Sequence, residues 1–200
     1  MTFATITFGP LAAYHPPVIG LTGRRGVGKS TAAAYLADAL GFARAHSFDG
    51  GKAAAAAYFR HLGAGEAQAH AMAHGHLRDV TSPLLPHGST PRFFLERFGK
   101  FMGATLGPEW TLGAEIERIW RSDPTRAVVV ESVVYEAAVI RAVGGTILRI
   151  ERPGHEGPAG IETDAAQAGI VVDATIVNDG DLEKLRSEIG VFAQQVTGGG

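Results

Sequence analysis

The 200-residue sequence contains no cysteine, so disulfides and thiolate metal sites are excluded. No apolar run reaches the roughly 18 residues that a membrane helix needs. Residues 1–17 lack the basic stretch followed by a clean apolar segment that is typical of a signal peptide. The net charge is −2, so no excess of one sign indicates nucleic acid or a membrane surface as a partner. These absences predict a soluble, cytoplasmic protein with no membrane partner.

Lysine is also scarce, because only four of the 18 basic residues are lysines and the rest are arginines. Arginine suits planar, bidentate recognition of phosphate, although genome composition can produce the same bias. The 46% hydrophobic fraction and the chain length allow one sizeable core. We therefore predict a single domain, with a helical acceptor-binding region at 41–120, a lid-like excursion at 151–172 and a flexible tail at 197–200.

Short β-rich runs alternate with helical stretches, which predicts an α/β fold with a parallel sheet. The strand predictions are Pro17–Thr22, Phe42–Phe48, Ala127–Val130, Thr146–Ile150 and Ala174–Val177. The helix predictions are Ser30–Leu40, Lys52–Leu62, a helix opening at Thr90, Thr111–Trp120, Tyr135–Val143 and a helix capped by Asp181. Phe101 is expected on the apolar face of the helix that opens at Thr90, and Leu182 on that of the last helix.

The strongest motif is GRRGVGKS at Gly23–Ser30, which fits the phosphate-binding P-loop at every defined position. Its glycines let successive backbone N–H groups converge on a phosphate, and the following helix directs its positive N-terminus at the anion. Lysine reaches the β- and γ-phosphate oxygens, and the serine hydroxyl can coordinate Mg²⁺. The predicted nucleotide-binding residues are Gly23, Arg24, Arg25, Gly26, Val27, Gly28, Lys29, Ser30 and Thr31. The sequence thus predicts a site for a nucleoside triphosphate and Mg²⁺.

Several classes of protein share this loop, and the rest of the chain discriminates among them. A GTPase should carry an Asn-Lys-x-Asp guanine-reading motif, whereas the nearest approach here is Asn178-Asp179-Gly180. A hydrolysing ATPase usually ends a core strand with two acids, but the third strand ends in Glu131-Ser132. Glu131 stands at the carboxyl edge of a parallel strand, where α/β sites form, so we predict a Mg²⁺-binding or general-base role. The arginines at 92, 97, 149 and 152 suit a kinase, which must screen charge on two substrates.

The chain resembles the phage-type deoxynucleoside monophosphate kinases, a branch of the P-loop nucleotide kinases. The resemblance covers most of the sequence and is most specific in its C-terminal third. The matching segments are Ile140–Thr146, Glu151–Gly154, Asp173–Gly180 with Leu182–Leu185, Phe48-Asp49 with Lys52, and Thr90–Arg92. It implies a P-loop nucleoside triphosphate hydrolase-type three-layer fold with a five-stranded parallel sheet and a small mobile lid. It also implies transfer of the ATP γ-phosphoryl group to a deoxynucleotide-type acceptor.

Roles follow from the resemblance position by position. Lys29 and Ser30 would hold the donor phosphates and Mg²⁺, and Asp49 would face the acceptor. Arg92 would grip an acceptor phosphate, and Arg152 would neutralise charge that develops during transfer. The remaining implied contacts, which line the donor base, are Asn178 and Gly180.

Two departures from the family pattern keep alternatives open. The segment Glu131–Glu136 and the run Gly99–Ala104 each lack an arginine that the family carries, although Arg97 or Lys100 could compensate. Fewer acceptor cations would suit the related phage 5-hydroxymethyluracil DNA kinases, whose acceptor is a neutral base hydroxymethyl within DNA. A third alternative is a non-catalytic nucleotide-binding switch. The sequence therefore leaves a deoxynucleoside monophosphate or modified DNA as the acceptor, and it does not indicate an oligomeric state.

Overall fold

A computed structural model describes residues 15–155 and 166–198 of the chain. The chain divides into two compact units, each of which is described by itself. Unit 1 comprises Met1–His46 and Leu112–Gly200, and unit 2 comprises Ser47–Thr111. The predicted acceptor-binding role of 41–120 stays a prediction, and so does the single-domain organisation.

Unit 1 is built on a five-stranded sheet in which every strand pairing is parallel, in the order β2-β3-β1-β4-β5. The strands are β1 (Val18–Thr22), β2 (Ala43–Ala45), β3 (Val128–Val130), β4 (Thr146–Glu151) and β5 (Ala174–Val177). Central β1 pairs with β3 through Ile19 and Val129 and with β4 through Leu21 and Leu148. The carboxyl ends of β1, β3 and β4 therefore lie side by side, which is the edge where parallel sheets form binding sites.

Seven α-helices accompany these strands in the described residues. They are α1 (Lys29–Leu40), α2 (Asp49–His61), α3 (Glu66–His74), α4 (Pro91–Leu106), α5 (Pro108–Ser122), α6 (Ala137–Ala142) and α7 (Leu182–Gly198). The predicted caps are confirmed at two of them. The Thr90 hydroxyl accepts a hydrogen bond from the backbone N–H of Phe93, and the Asp181 carboxylate accepts one from Lys184. None of these helices is both long and apolar enough to span a membrane.

Alternate residues of the strands serve opposite faces of the sheet, because side chains along a strand point alternately to each side. Ile19 and Leu21 pack with Leu36 of α1 and Ile189 of α7. On the other face, the partners of Val18 come from α5 and α6 and include Ile116 and Ile140. Helices thus cover both faces, which confirms the predicted three-layer α/β fold of the P-loop type with a five-stranded parallel sheet.

Three local predictions are wrong. β2 ends at Ala45 instead of Phe48, because the chain turns and α2 begins at Asp49. Phe101 is 62% exposed, since the apolar cluster on which α4 packs extends only as far as Phe98. Leu182 is 45% exposed because it precedes by one turn the first residue of α7 that meets the core, Leu185.

Unit 2 has an apolar cluster of its own, formed where α2, α3 and α4 meet. Phe59 and Met72 are almost completely buried in it, and Leu95 closes it from α4. Aromatic rings extend the cluster, with Phe94 stacked beside Tyr58 at 5.6 Å between centroids. The predicted lid at 151–172 lies partly outside the described residues, which omit 156–165, and the predicted tail likewise extends beyond residue 198.

Candidate active site

The glycine-rich loop between β1 and α1 has the backbone conformation that its sequence requires. Gly23, Gly26 and Gly28 have φ values of 132°, 83° and 113°, a region that side-chain-bearing residues rarely adopt. A Cβ on Gly23 would also lie 2.2 Å from the backbone oxygen of Ile150. No side chain caps the N-terminus of α1, which starts at Lys29, so its first N–H groups are available to an anion. The loop therefore has the shape of a phosphate cradle.

Lys29 lies over this loop. Its ammonium donates hydrogen bonds to the backbone oxygens of Gly23 at 2.6 Å and Arg24 at 2.8 Å. These contacts place the cation at the mouth of the cradle.

Glu131 follows β3 directly and is hydrogen-bonded to the P-loop and to β2. Its carboxylate accepts hydrogen bonds from the Ser30 hydroxyl and from Arg44 of β2. Burial raises the pKa of Glu131, but these two bonds, with the charges of Arg44 and His46, hold it below its usual value. Glu131 is therefore ionised at neutral pH, beside the serine of the P-loop.

Ser30 and Glu131 line one pocket of about 450 Å³ together with Lys29 and Thr31. An ionised carboxylate and a hydroxyl are oxygen ligands of the kind that Mg²⁺ prefers. The described residues contain no group of three or more His, Cys, Asp or Glu that could enclose a metal. Ser30 and Glu131 are therefore the candidate Mg²⁺ ligands of this pocket.

Arg152 lines a second pocket of unit 1, of about 330 Å³, with Gly23 and Arg24. Its side chain is exposed at the end of β4. Arg149, three residues before Arg152 and paired in register with Thr22 of β1, lines the same pocket. Its guanidinium donates to the backbone oxygens of Gln167 and Ile170, at 3.1 and 2.9 Å. Both arginines line this pocket, but the guanidinium of Arg149 is held by these backbone oxygens, whereas Arg152 is exposed.

Asn178 contacts the P-loop directly. Its side-chain amide donates a 2.8 Å hydrogen bond to the backbone oxygen of Val27. On the other side, His155 Nε2 lies 2.9 Å from the backbone oxygen of Arg25. Gly180 lies against Lys184 at the start of α7. The predicted roles of Asn178 and Gly180 beside the donor base stay predictions.

In unit 2, Asp49 is the first residue of α2 and forms an ion pair with Lys52, at 2.8 Å between Oδ1 and Nζ. His74 of α3 is electrostatically coupled to both. Burial lowers the pKa of His74, and the charges of His70, Lys52 and Arg78 lower it further, against a smaller opposing effect of Asp49. His74 is therefore predominantly neutral at pH 7, so it does not add a cation to this cluster.

Arg92, the second residue of α4, is paired with Asp79 through two hydrogen bonds, from Nε to Oδ1 and from Nη2 to Oδ2. The hydrogen bond and charge of Arg92 lower the pKa of Asp79. The neighbouring Arg78 differs, because its Nε is buried and has no hydrogen-bond partner among the described residues. Buried N–H groups are nearly always satisfied, which makes this guanidinium a candidate to contact an anionic ligand.

An apolar pocket of about 310 Å³ lies beside α4 in unit 2, and aromatic residues form much of its wall. The guanidinium of Arg97 stacks over the ring of Phe93, 4.5 Å from its centroid, and both residues line the pocket. Phe94 and Phe98 line it as well. A pocket of stacked rings with one cation is suited to a planar aromatic ligand.

The structure brings Lys29, Ser30 and Glu131 into one pocket, and it places Arg152 at a second pocket that includes Gly23. Asp49 and Arg92 lie in unit 2. Sequence reasoning missed Arg44, Arg78 and His155, because their relevance depends on contacts that no motif encodes. Arg44 and Glu131 are 87 positions apart in the chain, and His155 and Arg25 are 130 apart.

No protein-family model matches the chain, and no curated protein matches it in sequence. Several solved structures are similar to it at low identity. One is TT1252 from Thermus thermophilus, with 19% identity, a TM-score of 0.45 and coverage of 90% of this chain and 98% of that one. Dephospho-CoA kinase from Campylobacter jejuni has 15% identity, a TM-score of 0.43 and coverage of 91% and 98%. Shikimate kinase from Acinetobacter baumannii has 12% identity, a TM-score of 0.40 and coverage of 95% and 98%.

Proposed function

We propose that this protein is a P-loop kinase that transfers the γ-phosphoryl group of ATP to a deoxynucleotide-type acceptor, a deoxynucleoside monophosphate in the first instance. The observation that carries the proposal is the single pocket lined by Lys29, Ser30 and Glu131 behind a loop of three glycines with positive φ. Cation, hydroxyl and carboxylate are the three groups that phosphoryl transfer from a magnesium nucleotide requires of a P-loop protein.

On the donor side, each residue has a task that its position supports. The loop N–H groups and Lys29 bind the β- and γ-phosphate oxygens, while Ser30 and the Glu131 carboxylate hold Mg²⁺. Bound Mg²⁺ would neutralise phosphate charge and align the donor. Arg152, exposed next to Gly23, adds positive charge where negative charge grows on the transferred group.

On the acceptor side, unit 2 supplies both charge and apolar surface. Asp49, held by Lys52, orients or deprotonates the accepting group. The guanidinium of Arg78 binds the phosphate of the acceptor. The aromatic pocket beside Phe93 and Arg97 is suited to the planar base. An acceptor with both a phosphate and a base would use each of these features, which supports a nucleotide.

One observation favours a second candidate, the 5-hydroxymethyluracil DNA kinase. Arg92 is neutralised by its bidentate pair with Asp79 and so offers little net charge to an acceptor phosphate. A neutral hydroxymethyl acceptor needs no such charge, and it needs a general base, which Asp49 could be. The extruded base would then occupy the aromatic pocket.

The test is a γ-³²P transfer assay with two acceptor sets, the deoxynucleoside monophosphates and DNA that contains 5-hydroxymethyluracil. We expect label on a monophosphate, and loss of at least about 100-fold in kcat for Lys29→Ala, since it removes charge stabilisation of the transition state. Lys184→Ala is the matched control, because this exposed lysine of α7 pairs with Asp179, which precedes the helix. Label that appears only in DNA would replace the first candidate with the second. ATP binding without any acceptor-dependent turnover would indicate the non-catalytic switch.

A further inference from the structure

Two side chains from distant parts of unit 1 each hold a backbone oxygen of the P-loop. His155 Nε2 lies 2.9 Å from the oxygen of Arg25, and the Asn178 amide donates to the oxygen of Val27 at 2.8 Å. Because a carbonyl oxygen only accepts hydrogen bonds, Nε2 of His155 carries the hydrogen in this contact.

These contacts determine where the loop N–H groups point. A trans peptide is planar and directs its C=O and N–H to opposite sides, and the described chain has no cis peptide. A hydrogen bond to the oxygen of Arg25 therefore orients the N–H of Gly26 away from His155. A bond to the oxygen of Val27 does the same for the N–H of Gly28. Both glycines line the pocket that contains Lys29.

The two side chains can approach the loop this closely only because positions 26 and 28 are glycines. A Cβ on Gly26 would lie 2.5 Å from His155 Nε2, and one on Gly28 would lie 2.9 Å from Asn178 Nδ2. The two side chains approach the loop backbone where a methyl group would stand, so the glycines provide access for these hydrogen bonds as well as a positive φ. The spacing of Gly26 and Gly28 matches the spacing of the two anchored oxygens.

Both anchoring residues are themselves fixed to strand ends. The backbone N–H of His155 donates to the oxygen of Arg152, which closes a turn just after β4. The N–H of Asn178 donates to the oxygen of Glu151, at the ends of β5 and β4. The loop is thereby tied to the rigid edge of the sheet through two independent side chains, which is the arrangement that preorganises a binding site.

We infer that His155 and Asn178 are positioning residues that preorganise the Gly26 and Gly28 amides for a polyphosphate chain. The inference rests on the phosphate-binding part of the proposed function and assigns Asn178 a contact with the loop in place of the donor base. Fixing donors before the anion arrives removes the ordering cost from binding, so loss of either anchor should weaken polyphosphate affinity. Neither residue touches the phosphate in this assignment.

The experiment is calorimetric titration of the full chain with magnesium tripolyphosphate, which carries phosphates but no base, and separately with magnesium ATP. The variants are His155→Phe, which keeps a ring but loses the donor, and Asn178→Leu, which keeps the shape but loses the amide. Each should raise the Kd for tripolyphosphate about three- to ten-fold, the range expected from one hydrogen bond. The Kd for ATP should rise by the same factor. His155→Gln, which retains a donor near the Nε2 position, should bind within about two-fold of wild type.

The control is Asp181→Asn, since this residue follows Asn178 by three positions and asparagine caps α7 as well as aspartate does. Thermal melting confirms that each variant is folded, and His155→Ala replaces His155→Phe if the larger ring is not accommodated.

Wild-type affinity for tripolyphosphate in both anchor variants would overturn the inference. A loss confined to ATP in Asn178→Leu would make that residue a base contact and overturn its positioning role. If wild type binds tripolyphosphate but transfers no phosphoryl group, the kinase proposal fails and the anchors stand. If wild type does not bind tripolyphosphate at all, both fail.

Discussion

At the scale of single residues, the charge on Glu131 is the quantity that the site controls most directly. Two donors, Ser30 and Arg44, hold its pKa below the usual value in spite of its burial. A carboxylate with a depressed pKa stays ionised above that pKa and loses its charge as the pH falls through it. Activity that depends on this charge should therefore be retained through weakly acidic pH and should fall only below the ordinary glutamate range.

Arg44→Gln tests this assignment. Loss of the cation favours the neutral acid, so the pKa of Glu131 rises and the acid limb of kcat should move to higher pH. The measurement is kcat of γ-phosphoryl transfer between pH 4 and 8. Arg121→Gln is the control, because this arginine forms an exposed pair with Glu117 on α5. An acid limb at the same pH in wild type and in Arg44→Gln would contradict a role for the Glu131 charge.

Glycine at position 26 can also be tested against a matched glycine elsewhere. Gly26 and Gly41 have similar φ values, 83° and 75°, but only Gly26 would place a Cβ against another side chain, that of His155. Both alanine variants should lose about 1 kcal/mol of folding free energy from the unfavourable φ. Only Gly26→Ala should also weaken ATP binding. Equal ATP affinity for the two variants, measured beside urea unfolding, would show that position 26 matters for backbone conformation alone.

At the scale of elements, much of the sheet could be predicted and much of the site could not. The periodicity and the flanking glycines located β1, β3, β4 and β5, because these features act locally. The predicted β2 extended too far, to Phe48, because nothing in the local sequence shows that α2 begins at Asp49. The strand order and the Glu131–Arg44 contact depend on which segments pair across the sheet, and a single sequence does not encode that in any local pattern.

The packing of β1 against α6 gives a prediction at this scale. Gly20 lies in the middle of β1, and a Cβ there would lie 2.7 Å from Cδ1 of Ile140 and 2.8 Å from Cγ2 of Val133. Gly20→Ala should therefore overpack the core and cost about 1–3 kcal/mol. Ile140→Val removes the clashing methyl, so the double variant should be more stable than Gly20→Ala alone. Chemical denaturation measures all three. Strictly additive losses would mean that another contact, such as Val133, causes the cost.

At the scale of the whole molecule, the functional groups are distributed between the two units. The cradle, Lys29, Ser30 and Glu131 belong to unit 1, whereas Asp49, Arg78 and the aromatic pocket belong to unit 2. In the proposed reaction the first set binds the donor and the second binds the acceptor. Each set is held by the apolar core of its own unit. A substitution in unit 1 should therefore change the KM of ATP, and a substitution in unit 2 should change the KM of the acceptor.

Arg78→Gln tests this separation on the acceptor side. If its guanidinium, whose buried Nε has no hydrogen-bond partner in the described chain, binds the acceptor anion, its loss should raise the KM of the acceptor about 10- to 100-fold. The KM of ATP should stay within about two-fold, because the donor contacts lie in unit 1. Ser30→Ala should have the opposite pattern: it should raise the KM of ATP at limiting Mg²⁺ and leave the KM of the acceptor largely unchanged.

Arg60→Gln is the control in unit 2, where this arginine makes only an exposed pair with Glu66 among the contacts described. A rise in the KM of ATP for Arg78→Gln, or an unchanged KM of the acceptor, would show that this arginine serves the stability of unit 2 and that the acceptor anion is bound by other residues.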